Sequence, residues 1–229
     1  MKRWLLLGLS AFAFGVHAAP TGLFQNFNDL ATSGWTITNA SAPLGTTAWF
    51  QGNAGVFAAQ AGAPNAYAAA NFNSTDPNGG TVSTWLISPE IQFASQLLSF
   101  FARTEADPDN LWGDGLRVLV SQNGASTNLA DFTELFNINA VNASGAFPED
   151  WTQFVAQLGA VGTGRIAFEY TVGRNALANY IGLDEVAIFI SEPGVLVLFG
   201  LAALAAGLAR RRQRRWFRLE SDPVLKGPR

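Results

Sequence analysis

The chain contains no cysteine and one histidine, His17. Without thiols it can form no disulfide, no thiolate nucleophile and no cysteine-based zinc site. With its single imidazole so close to the N-terminus, the body of the chain has no histidine general base, no Ser-His-Asp triad and no histidine metal ligand. Positive charge is almost as scarce there. Between residues 20 and 190 lysine is absent, and Arg103, Arg117, Arg165 and Arg174 face fourteen Asp and Glu residues. The resulting balance near −10 is hidden in the whole-chain value of −3 by basic residues at both ends. Phosphate contacts require Lys or Arg, so nucleic acid is excluded as a partner, and an anionic lipid surface is disfavoured. Divalent cations and neutral glycans are compatible with such a balance, although its first consequence is solubility. Also missing is any long, capped stripe of apolar residues at a 3.6-residue period. Residues 54–70 are rich in alanine, but Gly55, Gly62 and Pro64 interrupt them, so strands and loops are expected there.

Apolar runs are concentrated at the two ends. Lys2 and Arg3 precede WLLLGLSAFAFGV, which ends in His17-Ala18-Ala19. A charged start, a short apolar core and a small-residue exit describe a secretory signal peptide over residues 1–19, cleaved after Ala19. Near the other end, Ser191-Glu192-Pro193 leads into the uncharged apolar run 194–209, followed by five arginines within residues 210–215. As a helix rising about 1.5 Å per residue this run is some 24 Å long, short of the ~30 Å hydrocarbon core. Snorkelling arginine stems and local thinning make up the difference, and the arginines keep their side cytoplasmic. A transmembrane helix is therefore expected here, with residues 20–190 outside the cytoplasm and a basic, polar tail at 216–229.

This order of parts resembles the PEP-CTERM sorting signal of Gram-negative bacteria that make extracellular polysaccharide. Glu192, Pro193, the apolar run and Arg210, Arg211 and Arg212 match it. Ser191 stands in place of the first proline, and fourteen residues follow Arg215. The resemblance implies an exosortase, a membrane cysteine protease, as processing partner. It also implies transient anchoring in the inner membrane and cleavage beside Glu192-Pro193, with delivery to the cell surface or beyond.

Residues 20–190 read as β-structure. Short runs such as Trp35-Thr36-Ile37-Thr38, Ser83-Thr84-Trp85-Leu86-Ile87, Leu97-Leu98-Ser99-Phe100-Phe101, Leu116-Arg117-Val118-Leu119-Val120 and Arg165-Ile166-Ala167-Phe168-Glu169-Tyr170 are separated by clusters of Gly, Asn, Pro, Asp and Ser. Further runs begin at Trp151 and Glu185. Seven to nine strands at this spacing predict an all-β fold, a single antiparallel β-sandwich or jelly roll, with its first and last strands in one sheet. Trp85-Leu86-Ile87-Ser88-Pro89, Gly164 to Tyr170, and Ile181-Gly182-Leu183-Asp184-Glu185-Val186 follow Asn26-Phe27 and Gly34-Trp35 in an order that resembles the choice-of-anchor J domain. That family is related to the cleaved-adhesin and MAM-like jelly rolls.

Related jelly rolls place a calcium ion between the first strand and the aspartate of a closing I-x-x-D motif. The resemblance thus implies Asp184 as a structural calcium ligand, with Asn26 and Asp29 supplying oxygens where Gln25-Asn26 replace the usual glutamate. The other reading of Asp184 is the cap of a turn before the last strand. Glu105, Asp107, Asp109 and Asp114 lack the spacing of an EF-hand and read as a solvated acidic loop. Glu149-Asp150 reads as a polar turn, since neighbours on a strand point to opposite faces. Trp35, Trp85 and Trp151 sit in apolar strands and are expected in the core. Trp112, between Leu111 and Gly113 in a Gly/Asp-rich loop, is either folded back over the sandwich or presented to stack on a pyranose ring. Taken together, these features describe an exported, non-enzymatic surface or matrix protein whose β-sandwich binds polysaccharide or other matrix components. The alternative is a secreted glycan-active hydrolase, for which no catalytic constellation is present.

Overall fold

The computed structural model describes residues 22–189. The signal-peptide residues 1–19, the sorting residues Glu192, Pro193 and Arg210–Arg212, and the expected C-terminal transmembrane helix lie outside the described residues. Among those described, no helix is long and apolar enough to cross a membrane. The chain divides between Ile190 and Ser191 into two units, and all the described residues belong to the first.

Twelve strands form two six-stranded sheets. In chain order they are β1 (Leu23–Gln25), β2 (Thr36–Asn39), β3 (Phe50–Gln51), β4 (Ala68–Asn71), β5 (Val82–Ile87), β6 (Ile91–Ala94), β7 (Leu97–Thr104), β8 (Leu116–Ser121), β9 (Thr133–Ile138), β10 (Thr152–Gln157), β11 (Val161–Val172) and β12 (Tyr180–Phe189). The first sheet runs β10-β7-β12-β4-β3, with β1 also on β12. The second runs β2-β5-β11-β8-β9, with β6 also on β11. Every described strand pairing is antiparallel. Helix is limited, among the described residues, to single 3₁₀ turns at Phe72–Ser74, Leu129–Asp131 and Asn175–Leu177. The expected sandwich is thus present, and β1 does pair with β12, Leu23 lying opposite Ile188.

The two longest strands hold the sheets together because each accepts two shorter strands end to end along one edge. β11 pairs with β6 through Val161–Gly164 and with β5 through Ala167–Val172. β12 pairs with β4 through Tyr180–Leu183 and with β1 through Val186–Ile188. Alternation does the rest: Ile166, Phe168 and Tyr170 of β11 enter the main core with Leu98, Phe100, Ile181 and Leu183 of the facing sheet. Phe100 meets Phe168 edge-on at 4.9 Å between ring centres, the favoured aromatic geometry.

The outward faces are also largely covered, which is why β11 and β12 read as nearly continuous apolar strands. Leu129 and Phe132 lie over Trp85, Ile87, Leu119 and Ala167 on the second sheet. On the first sheet, the loop between β3 and β4 lays Phe57 over Tyr67, Tyr180 and Trp151. Gly182 makes this possible, since a Cβ there would come within 2.8 Å of both the Phe57 and Trp151 rings. Trp35 and Trp85 are buried as expected, while Trp151 is half-buried under this loop and donates its indole N–H to the Ala58 carbonyl at 2.8 Å.

Candidate functional site

The loops that precede β8 and β12 and follow β4 meet at the end of the sandwich where β12 begins. They line an open cavity of about 290 Å³ formed by Phe72, Trp112, Asn175, Ala176, Ala178 and Asn179. Strand pairing assembles it. Tyr180 lies opposite Asn71, so the residues just outside that pair, Asn179 and Phe72, become neighbours, and the Phe72 N–H donates to the Asn179 carbonyl at 2.9 Å. Phe72 is 43 % exposed although no core position demands it at the surface. Trp112 is held by its backbone: its carbonyl accepts from Gly145 N at 2.9 Å, and the next N–H, that of Gly113, donates to the Leu177 carbonyl at 2.7 Å. A side chain at Gly113 would strike the Asn142 carbonyl, so this close approach requires glycine.

Polar groups then fix the floor. With the Asn179 carboxamide turned so that both its atoms are satisfied, the Trp112 indole N–H donates to its oxygen at 3.3 Å and its nitrogen donates to Glu105 Oε2 at 3.3 Å. The Asn179 backbone N–H donates to Asp114 Oδ1 at 2.8 Å. That carboxylate is 1 % exposed and also accepts from the Tyr170 hydroxyl and the Thr104 hydroxyl, both at 2.6 Å. Burial pushes the Asp114 carboxyl up, while the Thr104, Tyr170 and Asn179 donors pull it down. Asp114 is therefore not part of a solvated acidic loop, which corrects the expectation for that residue. Three short hydrogen bonds make its burial tolerable where water is excluded. Asn175 anchors its carboxamide nitrogen on the Asp76 carbonyl at 3.2 Å, but its Oδ1 is buried without a partner.

The six lining residues carry no charge. They combine two aromatic faces with carboxamide groups, one of whose oxygens is unpaired. This is the composition of a small-molecule site in which apolar surface supplies affinity and a few polar groups set orientation. Trp112 is half-buried and lines the cavity. A second depression, about 460 Å³, is lined by Val120, Gln122, Asp131, Thr133 and Leu135 among others and has no aromatic wall.

The residues expected at a calcium ion are arranged differently. Asp184 is fully buried at a β-bulge of β12, where the pairing with β7 shifts between Asp184 and Ala187 and Glu185 adopts φ +50°. Its Oδ2 accepts from the backbone N–H groups of Gln60 (3.0 Å) and Ala61 (3.2 Å), and Oδ1 from that of Glu185 (2.7 Å). Asn26 accepts from its own turn, at Asn28 N, and Asp29 accepts from Ala31 N and the Thr32 hydroxyl. Calcium takes six to eight oxygen ligands, and three N–H donors aimed at Asp184 do not fit that requirement. Nor do the described residues hold any group of three or more His, Cys, Asp or Glu side chains suited to a metal. In this arrangement Asp184 pins the covering loop. Glu149, in the expected polar turn, accepts from the Asp107 N–H.

Phe72, Asn175 and Asn179 carry no mark in the sequence. Each is ordinary locally, and only the pairing of β4 with β12 brings them to Trp112. Solved structures similar to this chain include three cleaved adhesin domains of Lys-gingipain. The K1 domain from Porphyromonas gingivalis W83 is 23% identical, with a TM-score of 0.57 over 75% of this chain and 99% of that one. The K3 domain from the same source is 20% identical at 0.55 (75% and 98%), and the K2 domain 20% identical at 0.55 (74% and 99%). At this identity the likeness shows the fold, and it agrees with the cleaved-adhesin side of the resemblance. No protein-family model matches the chain, and no curated protein matches it.

Proposed function

We propose that this chain is an exported, exosortase-sorted surface or matrix protein whose β-sandwich binds a neutral polysaccharide in the Trp112–Phe72 cavity. The observation that carries the binding reading is a cavity walled by two aromatic rings, Trp112 and the 43 % exposed Phe72, beside the carboxamide residues Asn175 and Asn179. The missing charge among the lining residues favours a neutral sugar, because a uronate would meet no cation there. A non-enzymatic role is supported by the chemistry available: the chain has no cysteine, its one histidine is His17, and the cavity lining holds no carboxylate pair. The sorting half of the proposal rests on the sequence of Glu192-Pro193, the apolar run and Arg210–Arg215.

Binding is tested by titrating the mature protein with the exopolysaccharide of the producing bacterium, following heat release and any new reducing ends. Saturable binding without product, weakened tenfold or more by Trp112→Ala (about 1.4 kcal/mol or above), is the expected result. Equal affinity in the variant overturns the site, and release of sugar overturns the non-enzymatic reading.

A further inference from the structure

Charge is distributed unevenly along the sandwich. Asp76, Glu105, Asp107, Asp109, Glu149 and Asp150 belong to the loops at the end where β12 begins. At the opposite end β1 starts, β12 finishes, and the β6–β7 and β10–β11 connections turn. Among the described residues at this end, 22–28, 91–102, 151–164 and 186–189 contain no Asp, Glu, Lys or Arg, and the loop after β8 joins them through Gln122, which accepts from the Val161 N–H. Charges at this end belong to its second-sheet side: Asp131, on the loop after β8, lines a depression with Gly159 and Ala160 and accepts from Asn123 and Ser126, and Arg165 of β11 donates to the Ala125 carbonyl. This end also carries exposed apolar side chains, Phe24 (63 %), Val155 (57 %), Val161 (63 %) and Phe189 (44 %). Phe24 and Val155 lie in one row across the outward face of the first sheet, through Ala187 and Ser99, and Phe189 stands in the next row beside Leu97.

The chain itself says what such a surface meets. β12 ends at Phe189, and only residues 190–193 separate it from the apolar run 194–209. Four extended residues reach about 14 Å at most. If the run spans a bilayer, this end of the sandwich is tethered within that distance of lipid headgroups. A charged surface so placed loses hydration, whereas one without charge and with protruding Phe and Val side chains gains by contact with the interface.

We propose that the exposed apolar surface at this end of the sandwich contacts the bilayer, with Phe24, Val155, Val161 and Phe189 resting at the headgroup level of the outer leaflet. The inference rests on the proposed membrane anchoring. β12 spans ten residues, about 30 Å at the rise of a strand, so the Trp112 cavity at its other end is held clear of the membrane and open to polymer. The contact needs no anionic lipid and is insensitive to salt, because no charge takes part.

The absence of cysteine makes the test direct. Single variants Val155→Cys, Val161→Cys and Leu111→Cys of the full chain are labelled with an environment-sensitive fluorophore and inserted in phosphatidylcholine vesicles containing nitroxide-labelled lipid; Leu111 is 54 % exposed near Trp112. The expected result is loss of most fluorescence at positions 155 and 161 and none at 111, at low and high salt alike. A chain that resists alkaline carbonate extraction but keeps all three labels bright overturns the surface and leaves the anchor standing. A chain that washes off overturns the anchor, and the surface with it. Labels at 155 and 161 that are shielded from a water-soluble quencher only at high protein density, without nitroxide quenching, assign the face to a second copy of the chain and overturn the lipid proposal.

Discussion

At the residue scale, one exposed ring and one buried carboxylate carry separate predictions. Phe72 presents a ring at the cavity wall where water reaches it, so removing it should weaken sugar binding without harming the sandwich. Phe72→Ala is expected to lower affinity about tenfold, roughly 1.4 kcal/mol, with a melting temperature close to that of the parent. Calorimetric titration beside a thermal melt checks both halves. Asp184 makes the opposite prediction. Burial raises its carboxyl to about 7 from 3.8, against the pull of the Glu185, Ala61 and Gln60 N–H groups. Over that interval the folded state holds a proton that the unfolded state has released, so stability should fall as pH rises from about 4 to 7 and level off above. The loss is of order 2–4 kcal/mol at most. Asp184→Asn, which cannot ionise, should flatten the slope, with Asp114 leaving a residue of the same sign; denaturant melts at pH 5 and pH 8 decide it. The same geometry gives the calcium expectation its check. With Asp184 engaged by three N–H donors, excess calcium and chelator should give the same melting curve, whereas a rise with calcium would mean that the loop at Gln60 and Ala61 moves aside.

At the scale of elements, the seven strands expected from Trp, Val, Ile and Phe runs correspond to β2, β5, β7, β8, β10, β11 and β12. Five others escape pattern reading for separate reasons. β1 and β3 are too short to alternate, and β4 is Ala-Ala-Ala-Asn, with Ala69 under the aromatic loop and Ala68 and Ala70 in the main core. β6 is four residues, and β9, TELFNI, is an edge strand half exposed to water. The loop between β3 and β4 behaves as an element in its own right, seated on the first sheet through Phe57 and the hydroxyl pair Tyr67–Tyr180 at 3.1 Å. Gly182→Ala should lift that loop, because its new methyl must displace Phe57 or Trp151. The expected cost is about 1–3 kcal/mol, seen as a lower melting temperature, with red-shifted tryptophan emission and faster proteolysis within residues 53–66. An unchanged emission spectrum would mean that the rings reseat without opening.

On the scale of the whole molecule, the proposals give the chain one end that binds and another that is tethered. Replacing Glu192 and Pro193 by alanine should trap the precursor in the membrane with the sandwich folded, as read from its mass and protease resistance in host cells. A processed form of normal mass would refute cleavage beside this dipeptide. The apolar runs at both ends, the arginine cluster, the acidic balance and the loss of histidine and cysteine chemistry are properties of linear order and composition, so the sequence by itself determined them. It also determined the all-β class, because runs of β-branched and aromatic residues broken by turn formers have few other ways to bury themselves. Trp112 could be singled out as a loop tryptophan, but not its partners. Phe72, Asn175 and Asn179 reach it only because Tyr180 pairs with Asn71, and Asp114 turns inward only because Thr104, Tyr170 and Asn179 converge on it. Such meetings depend on register between strands far apart in the chain, and register is decided by side-chain packing across the whole sheet. The tertiary structure alone therefore decided where the cavity lies, where the exposed apolar side chains gather, and that Asp184 faces backbone N–H groups.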